Sequence, residues 1–215
     1  MPDCLLVQPI HDRGVQVLRD AGLTPRLASA FDMQTVAREV GDAVAAITRN
    51  AGFNRTALEA APRLRVIGNH GIGTDPVDLA SATALGVPVV NNPTANVISV
   101  AEHAIGLMLA VARNMLSADQ AARARDFRWK FSHPQIELFG KTLGIVGFGV
   151  IGRETARRAA AGFGMNVLVF SPSVPDDALE GFARAASIEE LLQRSDVVSL
   201  HVKLSPATRN LVSAE

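Results

Sequence analysis

The feature that most constrains the fold is a glycine-rich segment at residues 142–159, TLGIVGFGVIGRETARRA. Gly147, Gly149 and Gly152 form the pattern G-x-G-x-x-G between an apolar run typical of a buried strand and a helical pattern. The first glycine permits a tight turn, the second lets the backbone approach a pyrophosphate, and the third lets the helix pack close to the strand. The helix N-terminus offers free N–H groups to phosphates. The segment therefore predicts a dinucleotide-binding unit, with a tight turn that binds no ligand as the alternative.

The first half of the chain alternates short apolar runs with helical patterns. Four strands are predicted there, at residues 4–7, 43–48, 64–69 and 87–92. Asp75 and Pro76 predict the start of a helix before the last of these strands, and Gly86 predicts its end. Strands that alternate with helices predict a parallel sheet with crossover helices, and hence an α/β fold.

The second half begins with a predicted helix at residues 99–116, which is apolar on more than one face and so is expected between layers or between subunits. Ser99 and Glu102 at its start match a capping box. A polar stretch follows at 117–140 and is expected to wrap the surface. We place a domain boundary before this helix, which gives domains at residues 1–95 and 96–215.

The segment after residue 140 is a second alternating unit. Strands are predicted at 142–147, 166–170 and 196–202, and helices at 150–162 and 187–194. Ser187 and Glu190 predict a capping box on the second helix. A doubly wound sheet of only three strands leaves a long parallel edge unpaired, so we expect the chain to be part of a longer protein.

Composition excludes several classes of function. Lys and Arg together equal Asp and Glu, at 21 each, so no net charge attracts nucleic acid or an anionic membrane. The longest apolar run, residues 104–112, is too short to span a bilayer, and no signal peptide is predicted. The single cysteine excludes an internal disulfide framework and fits a cytoplasmic location. No metal site is predicted.

Ser171 bears on the choice of dinucleotide. It ends the second strand of the glycine-rich unit, 24 positions after Gly147, where an acidic residue usually binds the ribose hydroxyls of NAD. A carboxylate there accepts hydrogen bonds worth roughly 1.5–3 kcal/mol each and repels a 2′-phosphate. Serine weakens both effects. However, residues 172–178 contain no arginine that could bind a 2′-phosphate, and they contain two acidic residues. The cofactor is therefore NAD or NADP, with NAD favoured.

The order of these segments resembles the D-2-hydroxyacid dehydrogenase family, which includes D-3-phosphoglycerate dehydrogenase. The resemblance is carried by residues 66–114, 140–159 and 195–215 and covers nearly the whole chain. It implies a flavodoxin-like substrate domain, followed by a Rossmann cofactor domain with a doubly wound parallel sheet that is incomplete at its C-terminus. It also implies a homodimer formed through the helix at 99–116.

The resemblance assigns residues to two sites. The residues implied for the cofactor are Gly147, Gly149, Val150, Ile151, Gly152, Ser171, His201, Val202 and Lys203. Those implied for the substrate carboxylate and pocket are Arg49, Asn50, Gly71, Ile72 and Gly73. Arg49 and Asn50 have a solvated surface loop as the alternative. Lys203 stands where the family commonly has proline, and either contributes positive charge near a 2′-phosphate or is solvated.

The catalytic residues that the resemblance implies are an Arg and a Glu–His pair, all expected beyond Glu215. No catalytic residue is therefore assigned, and the 215-residue chain is expected to be inactive alone. The leading hypothesis is an NAD(P)-dependent oxidoreductase that transfers a hydride to a small 2-keto acid, or from a D-2-hydroxy acid, of the 3-phosphoglycerate, hydroxypyruvate or glyoxylate type. The alternatives are a non-catalytic dinucleotide-sensing protein of the corepressor type, or an inactive truncated fragment. Nothing in the sequence favours a formate dehydrogenase.

Overall fold

The computed structural model of the chain describes residues 2–213. It divides into two compact units, residues 1–95 and residues 96–215, each with its own parallel sheet and its own apolar core. The α/β fold class predicted from the alternating pattern is confirmed.

Within residues 2–95, the first unit contains five strands and four helices. The strands are β1 (Asp3–Leu6), β2 (Thr24–Leu27), β3 (Ala45–Thr48), β4 (Val66–Asn69) and β5 (Val89–Asn91). The helices are α1 (Asp12–Asp20), α2 (Met33–Val40), α3 (Arg55–Glu59) and α4 (Leu79–Ala84). All pairings are parallel, in the order β2-β1-β3-β4-β5, so the carboxyl ends of the strands meet at one edge of the sheet.

Two features of the first unit differ from the sequence prediction. Helix α4 begins at Leu79 and not at Asp75, because Pro76 accepts a hydrogen bond from the Phe53 N–H (3.2 Å) and Asp78 caps the helix by accepting from Ser81 N (3.0 Å). Strand β2 and helix α2 were not predicted. The sequence of β2, TPRL, lies at a sheet edge without buried residues, so it has no apolar alternation to detect.

Within residues 96–213, the second unit contains four strands, five α-helices and a short 3₁₀ turn at Asp176–Leu179. The helices are α5 (Val97–Ala112), α6 (Met115–Arg123), α7 (Trp129–Ser132), α8 (Val150–Phe163) and α9 (Ile188–Arg194). The strands are β6 (Thr142–Val146), β7 (Asn166–Phe170), β8 (Ala183–Arg184) and β9 (Val197–Leu200). The sheet is parallel with the order β8-β7-β6-β9, so the short strand β8 joins the three that were predicted.

Helices cover both faces of this sheet, because alternate residues of a strand point to opposite faces. Leu143 and Ile145 of β6 pack in a core with Ala156 and Ala159 of α8, and Ile105 of α5 belongs to the same core. The other face buries Val146, Leu168 and Leu191, the last of which lies on α9. This arrangement is the doubly wound sheet that the sequence predicted.

The predicted helix at 99–116 is two helices, α5 and α6. The chain breaks at Asn114, which has a left-handed conformation with φ of 50°. The capping box predicted from Ser99 and Glu102 is also wrong, because α5 begins at Val97 and its N-cap is Asn96. Glu102 instead approaches Arg158 of α8 at 3.6 Å.

The capping box predicted on α9 is present in one of its two hydrogen bonds, and the second bond involves a different N–H group. Ser187 accepts from the Glu190 N–H at 3.1 Å, as predicted, and the Glu190 carboxylate accepts from the Ala186 N–H at 2.7 Å. These bonds satisfy N–H groups that the helix leaves unpaired at its start. The capping box thus fixes the start of α9, and the chain leads from its end into β9.

Among residues 2–213, no single helix is both long and apolar enough to cross a membrane. Only α5 and α6 taken together pass that test, and they are bent by 59° at their junction. Within the same residues, no three His, Cys, Asp or Glu side chains are grouped so that they could hold a metal ion.

Candidate functional site

The glycine-rich loop connects β6 to α8 in the second unit. Gly147 has φ of +91°, a conformation that residues with a side chain rarely adopt. A Cβ at this position would also lie 2.7 Å from the carbonyl oxygen of His201. Its N–H donates to the carbonyl of Phe170 at 2.9 Å, so the loop is tied to the end of β7. Only glycine fits this turn.

Gly152 and Gly149 differ in what surrounds them. Gly152 is buried in the first turn of α8, where a Cβ would lie 2.2 Å from the carbonyl oxygen of Gly147, so the helix packs directly on the loop. Gly149 is the N-cap of α8, and a Cβ on it would have no atom within 4 Å. The space beside Gly149 is therefore open to a ligand.

The start of α8 can bind an anion. Gly149 has no side chain to cap the helix, and the N–H groups of the first turn, which include those of Val150 and Ile151, have no partner within the helix. Val150 is half exposed, at 51%. An open space lined by unpaired N–H groups at a helix N-terminus suits a pyrophosphate. By this test the residues present fit a dinucleotide.

Ser171 lies beside the glycine-rich loop. The register of β6 with β7 pairs Val146 with Phe170, so the residues that follow, Gly147 and Ser171, lie next to each other at the carboxyl edge. Ser171 is only 6% exposed. Its carbonyl accepts from the Val174 N–H at 3.1 Å, which turns the chain sharply after β7.

Arg184 is a charged residue at this edge that sequence reasoning missed. It lies on β8, and its guanidinium donates to the carbonyl of Ser171 (3.2 Å) and to the carbonyl of Val174. Its Nε also pairs with the carboxylate of Asp176. Residues 172–178, which follow Ser171 directly, contain no arginine, and a two-residue strand gives no sequence signal that would place Arg184 beside Ser171.

His201 and Val202 also lie against the glycine-rich loop, as the contacts of Gly147 show. His201 is half buried, its Nε2 is 2.9 Å from the Ser199 hydroxyl, and burial lowers the pKa of its imidazole below the ordinary value of 6.5. Lys203 is exposed, and its carbonyl accepts from the Thr208 hydroxyl at 2.6 Å. The role of its ammonium group near a 2′-phosphate stays a prediction.

The residues assigned to the substrate lie in the first unit, at the carboxyl edge of its sheet. Gly71, Ile72 and Gly73 follow β4 in a loop held by two side-chain amides. Asn69 donates to the carbonyl of Gly73 and Asn91 to that of Ile72, each at 2.6 Å. The Asn69 Oδ1 is buried and has no hydrogen-bond partner among residues 2–213.

The N–H groups of this loop are not all available to an anion. The Gly71 N–H donates to the carbonyl of Asn69 at 2.9 Å, so it is already used within the loop. The carbonyls of Ile72 and Gly73 are turned towards the asparagine side chains. A carboxylate cradle in this conformation therefore depends on the N–H groups of Ile72 and Gly73.

Arg49 and Asn50 follow β3, which pairs with β4 so that Thr48 lies opposite Asn69. The structure thus brings them to the same edge of the sheet as the 71–73 loop. Both are exposed, and Arg49 donates to the carbonyl of Pro9 at 3.3 Å. An exposed guanidinium at this edge is compatible with either interpretation made from the sequence, a substrate contact or a solvated loop.

Comparison with known proteins gives one family. Residues 105–215 match the model described as D-isomer specific 2-hydroxyacid dehydrogenase, NAD binding domain. Over 219 residues the chain is 37% identical to a D-3-phosphoglycerate dehydrogenase of Methanocaldococcus jannaschii, covering 100% of this chain and 41% of that protein.

Two solved structures have the same fold. A glyoxylate reductase from Paecilomyes thermophila is 29% identical with a TM-score of 0.84, over 98% of this chain and 68% of the other. An NAD-dependent formate dehydrogenase from Staphylococcus aureus in complex with NAD is 27% identical with a TM-score of 0.84, over the same shares. The chain spans about two fifths of the length of the curated relatives it matches.

Proposed function

The chain belongs to the D-isomer-specific 2-hydroxyacid dehydrogenase family, and on that premise we propose that the intact protein is an oxidoreductase. It transfers a hydride between a nicotinamide dinucleotide and a small 2-keto acid or D-2-hydroxy acid. The observation that carries the proposal is the loop of Gly147, Gly149 and Gly152, where two glycines are required by close backbone contacts and the third leaves open space at the start of α8.

The dinucleotide supplies the hydride chemistry when it is bound, and the protein supplies binding and orientation. The N–H groups at the start of α8, those of Val150 and Ile151 among them, bind the pyrophosphate. Gly149 allows the phosphates to approach the backbone. His201 and Val202 form the wall of the site behind Gly147.

The cofactor is NAD in preference to NADP. The acid Asp176 lies in the short turn after β7, and Ser171 at the strand end contributes no positive charge. Carboxylates near the ribose repel a 2′-phosphate. The family model, whose description names an NAD-binding domain, supports NAD as a cofactor.

The substrate is a small 2-keto acid of the glyoxylate or hydroxypyruvate type, or a D-2-hydroxy acid of the 3-phosphoglycerate type. The N–H groups of Ile72 and Gly73 are the donors for its carboxylate, and the exposed Arg49 at the same edge adds positive charge. The names of the relatives, a phosphoglycerate dehydrogenase and a glyoxylate reductase, support this class of substrate.

The protein acts as a homodimer through α5. One face of this helix is buried, at Ala101, Ile105 and Met108, while Leu107 and Val111 on another face are 55% and 78% exposed. The exposed residues border an apolar groove whose floor includes Met108 and Leu138. Exposed apolar surface of this kind is typical of a subunit interface.

Titration of the full-length protein with NADH and NADPH tests the proposal. Binding is followed by nicotinamide fluorescence, and turnover by loss of absorbance with glyoxylate, hydroxypyruvate and 3-phosphohydroxypyruvate. We expect NADH to bind and at least one keto acid to be reduced to its 2-hydroxy acid, in the D form where the product is chiral. Failure of both dinucleotides to bind contradicts the cofactor site, and binding without turnover of any keto acid contradicts the enzymatic assignment.

A further inference from the structure

Arg184 and Asp176 form an ion pair at the carboxyl end of β7. The Arg184 guanidinium lies under the turn that leaves the strand, where it donates to the carbonyls of Ser171 and Val174 while its Nε pairs with Asp176. The Arg184 side chain is 29% exposed and that of Asp176 is 83% exposed. The cation is therefore held by backbone carbonyls, and the acid lies over it on the solvent side.

The position of this pair matters because Ser171 is the residue at the expected ribose end of the dinucleotide site. Because serine is neutral, the charge near the ribose comes from its neighbours, and the Arg184 guanidinium is bonded to the Ser171 carbonyl itself. Arginine is well suited to phosphate, since its planar group donates several parallel hydrogen bonds. The three bonds described use three of its five N–H groups.

Resting on the proposed function, we propose that the Asp176–Arg184 pair determines the choice between NAD and NADP. With Asp176 present, its carboxylate neutralises the guanidinium and occupies the approach that a 2′-phosphate would take. The site then accepts the free ribose hydroxyls of NAD and rejects NADP. When the carboxylate is removed, Arg184 becomes the binding group for the 2′-phosphate.

Arg184 stays in place when the ion pair is broken, because the bonds to Ser171 and Val174 do not involve Asp176. The segment beyond the pair is held independently. Arg153 of α8 donates to the carbonyl of Ala178, and Glu180 pairs with Arg153 at 3.1 Å and with Arg157 at 2.7 Å. A change at Asp176 therefore alters charge at the ribose end without releasing the loop.

The experiment compares Kd for NADH and NADPH in the full-length protein, wild type and Asp176→Asn, by isothermal titration and nicotinamide fluorescence. We expect the variant to bind NADPH about fivefold more tightly and NADH with nearly unchanged affinity. Asp177→Asn is the matched control, because it removes the same charge from the neighbouring residue, which has no ion pair with Arg184 among the described residues. We expect its NADPH-to-NADH ratio to stay near that of the wild type.

A second substitution identifies the cation. Adding Arg184→Gln to Asp176→Asn should return the ratio of the two Kd values to the wild-type ratio. If the gain in NADPH binding survives Arg184→Gln but disappears with Lys203→Ala, Lys203 is the phosphate ligand and the inference is wrong. Equal gains in Asp176→Asn and Asp177→Asn also overturn it, because they indicate a general charge effect.

These outcomes separate the inference from the proposed function. Binding of NADH by the wild type with an unchanged ratio in Asp176→Asn overturns the inference and leaves the cofactor site standing. Failure of the wild type to bind either dinucleotide overturns both. Thermal unfolding of each variant is measured alongside; if Asp176→Asn does not fold, Asp176→Ser removes the same carboxylate and is judged by the same ratio.

Discussion

The substitution Gly149→Ala separates folding of the glycine-rich loop from its binding function. A Cβ at this position has no atom within 4 Å, and the backbone of Gly149, with φ of −77°, is accessible to alanine. The folded state therefore loses no contact. Because replacing glycine also reduces the freedom of the unfolded chain, the free energy of unfolding should change by less than about 1 kcal/mol.

Dinucleotide binding should respond much more strongly. The added methyl group enters the space next to the first N–H groups of α8, through which a pyrophosphate would approach. Loss of one charge-assisted hydrogen bond costs about 1.5–3 kcal/mol. The Kd for NADH should therefore rise roughly ten- to a hundredfold.

The assay measures unfolding by urea and Kd for NADH on the same preparations. Gly162→Ala is the control, since it makes the same change near the other end of α8, where a Cβ also has no atom within 4 Å. It should keep wild-type binding. Gly152→Ala should instead destabilise the fold by about 1–3 kcal/mol, because its Cβ would lie 2.2 Å from the Gly147 carbonyl oxygen. Wild-type affinity of Gly149→Ala for NADH would refute the role assigned to the loop.

Three further predictions concern other parts of the second unit. Ser171→Asp should tighten NADH and weaken NADPH, changing the ratio of their Kd values about tenfold; an unchanged ratio means that this strand end is not at the ribose. The hydrogen bond from Arg157, with a further bond from Arg153, holds the pKa of the Glu180 carboxyl below its ordinary value of 4.5. The stabilisation by Glu180 is therefore complete above pH 4.5 and is lost as the pH falls through the lower pKa of the folded state. The melting temperatures of wild type and Glu180→Gln should thus differ at pH 7 and converge on acidification. A difference that stays constant with pH would contradict this. Val111 is 78% exposed, so Val111→Asp should dissociate the proposed dimer without lowering the melting temperature of the monomer. Analytical ultracentrifugation measures the dissociation, and an unchanged sedimentation coefficient would place the interface elsewhere.

Local sequence predicted the strands that are buried and the turns that need glycine. Residues 166–170 were predicted as a strand and form β7 with the same bounds, because four of its five residues are apolar and it lies between two other strands. Two edge strands, β2 and β8, were missed, whereas the edge strands β5 and β9 were predicted. β2 and β8 lie at the ends of their sheets, and their short sequences, TPRL and AR, contain no apolar alternation.

A predicted cap marked the start of a helix where no distant segment bonded to the same residues. Ser187 caps α9 as predicted, whereas Asp75 does not start α4. Pro76 is held by the N–H of Phe53, a fully buried residue distant in sequence, and this tertiary contact delays the helix to Leu79. A capping pattern states a local preference, and a contact formed by a distant segment can override it.

The candidate site shows the same division between local and long-range information. The glycine-rich loop is proposed to bind through its own backbone, so a stretch of six residues was enough to predict both its shape and its ligand. The preference between NAD and NADP that we propose depends instead on side chains that meet only after folding. Arg184 comes from a strand that the sequence did not reveal, and reaches Ser171 because β8 pairs beside β7 with Val169 opposite Arg184. We therefore propose that the deciding charge comes from a neighbouring strand, which the neutral residue at the strand end does not reveal.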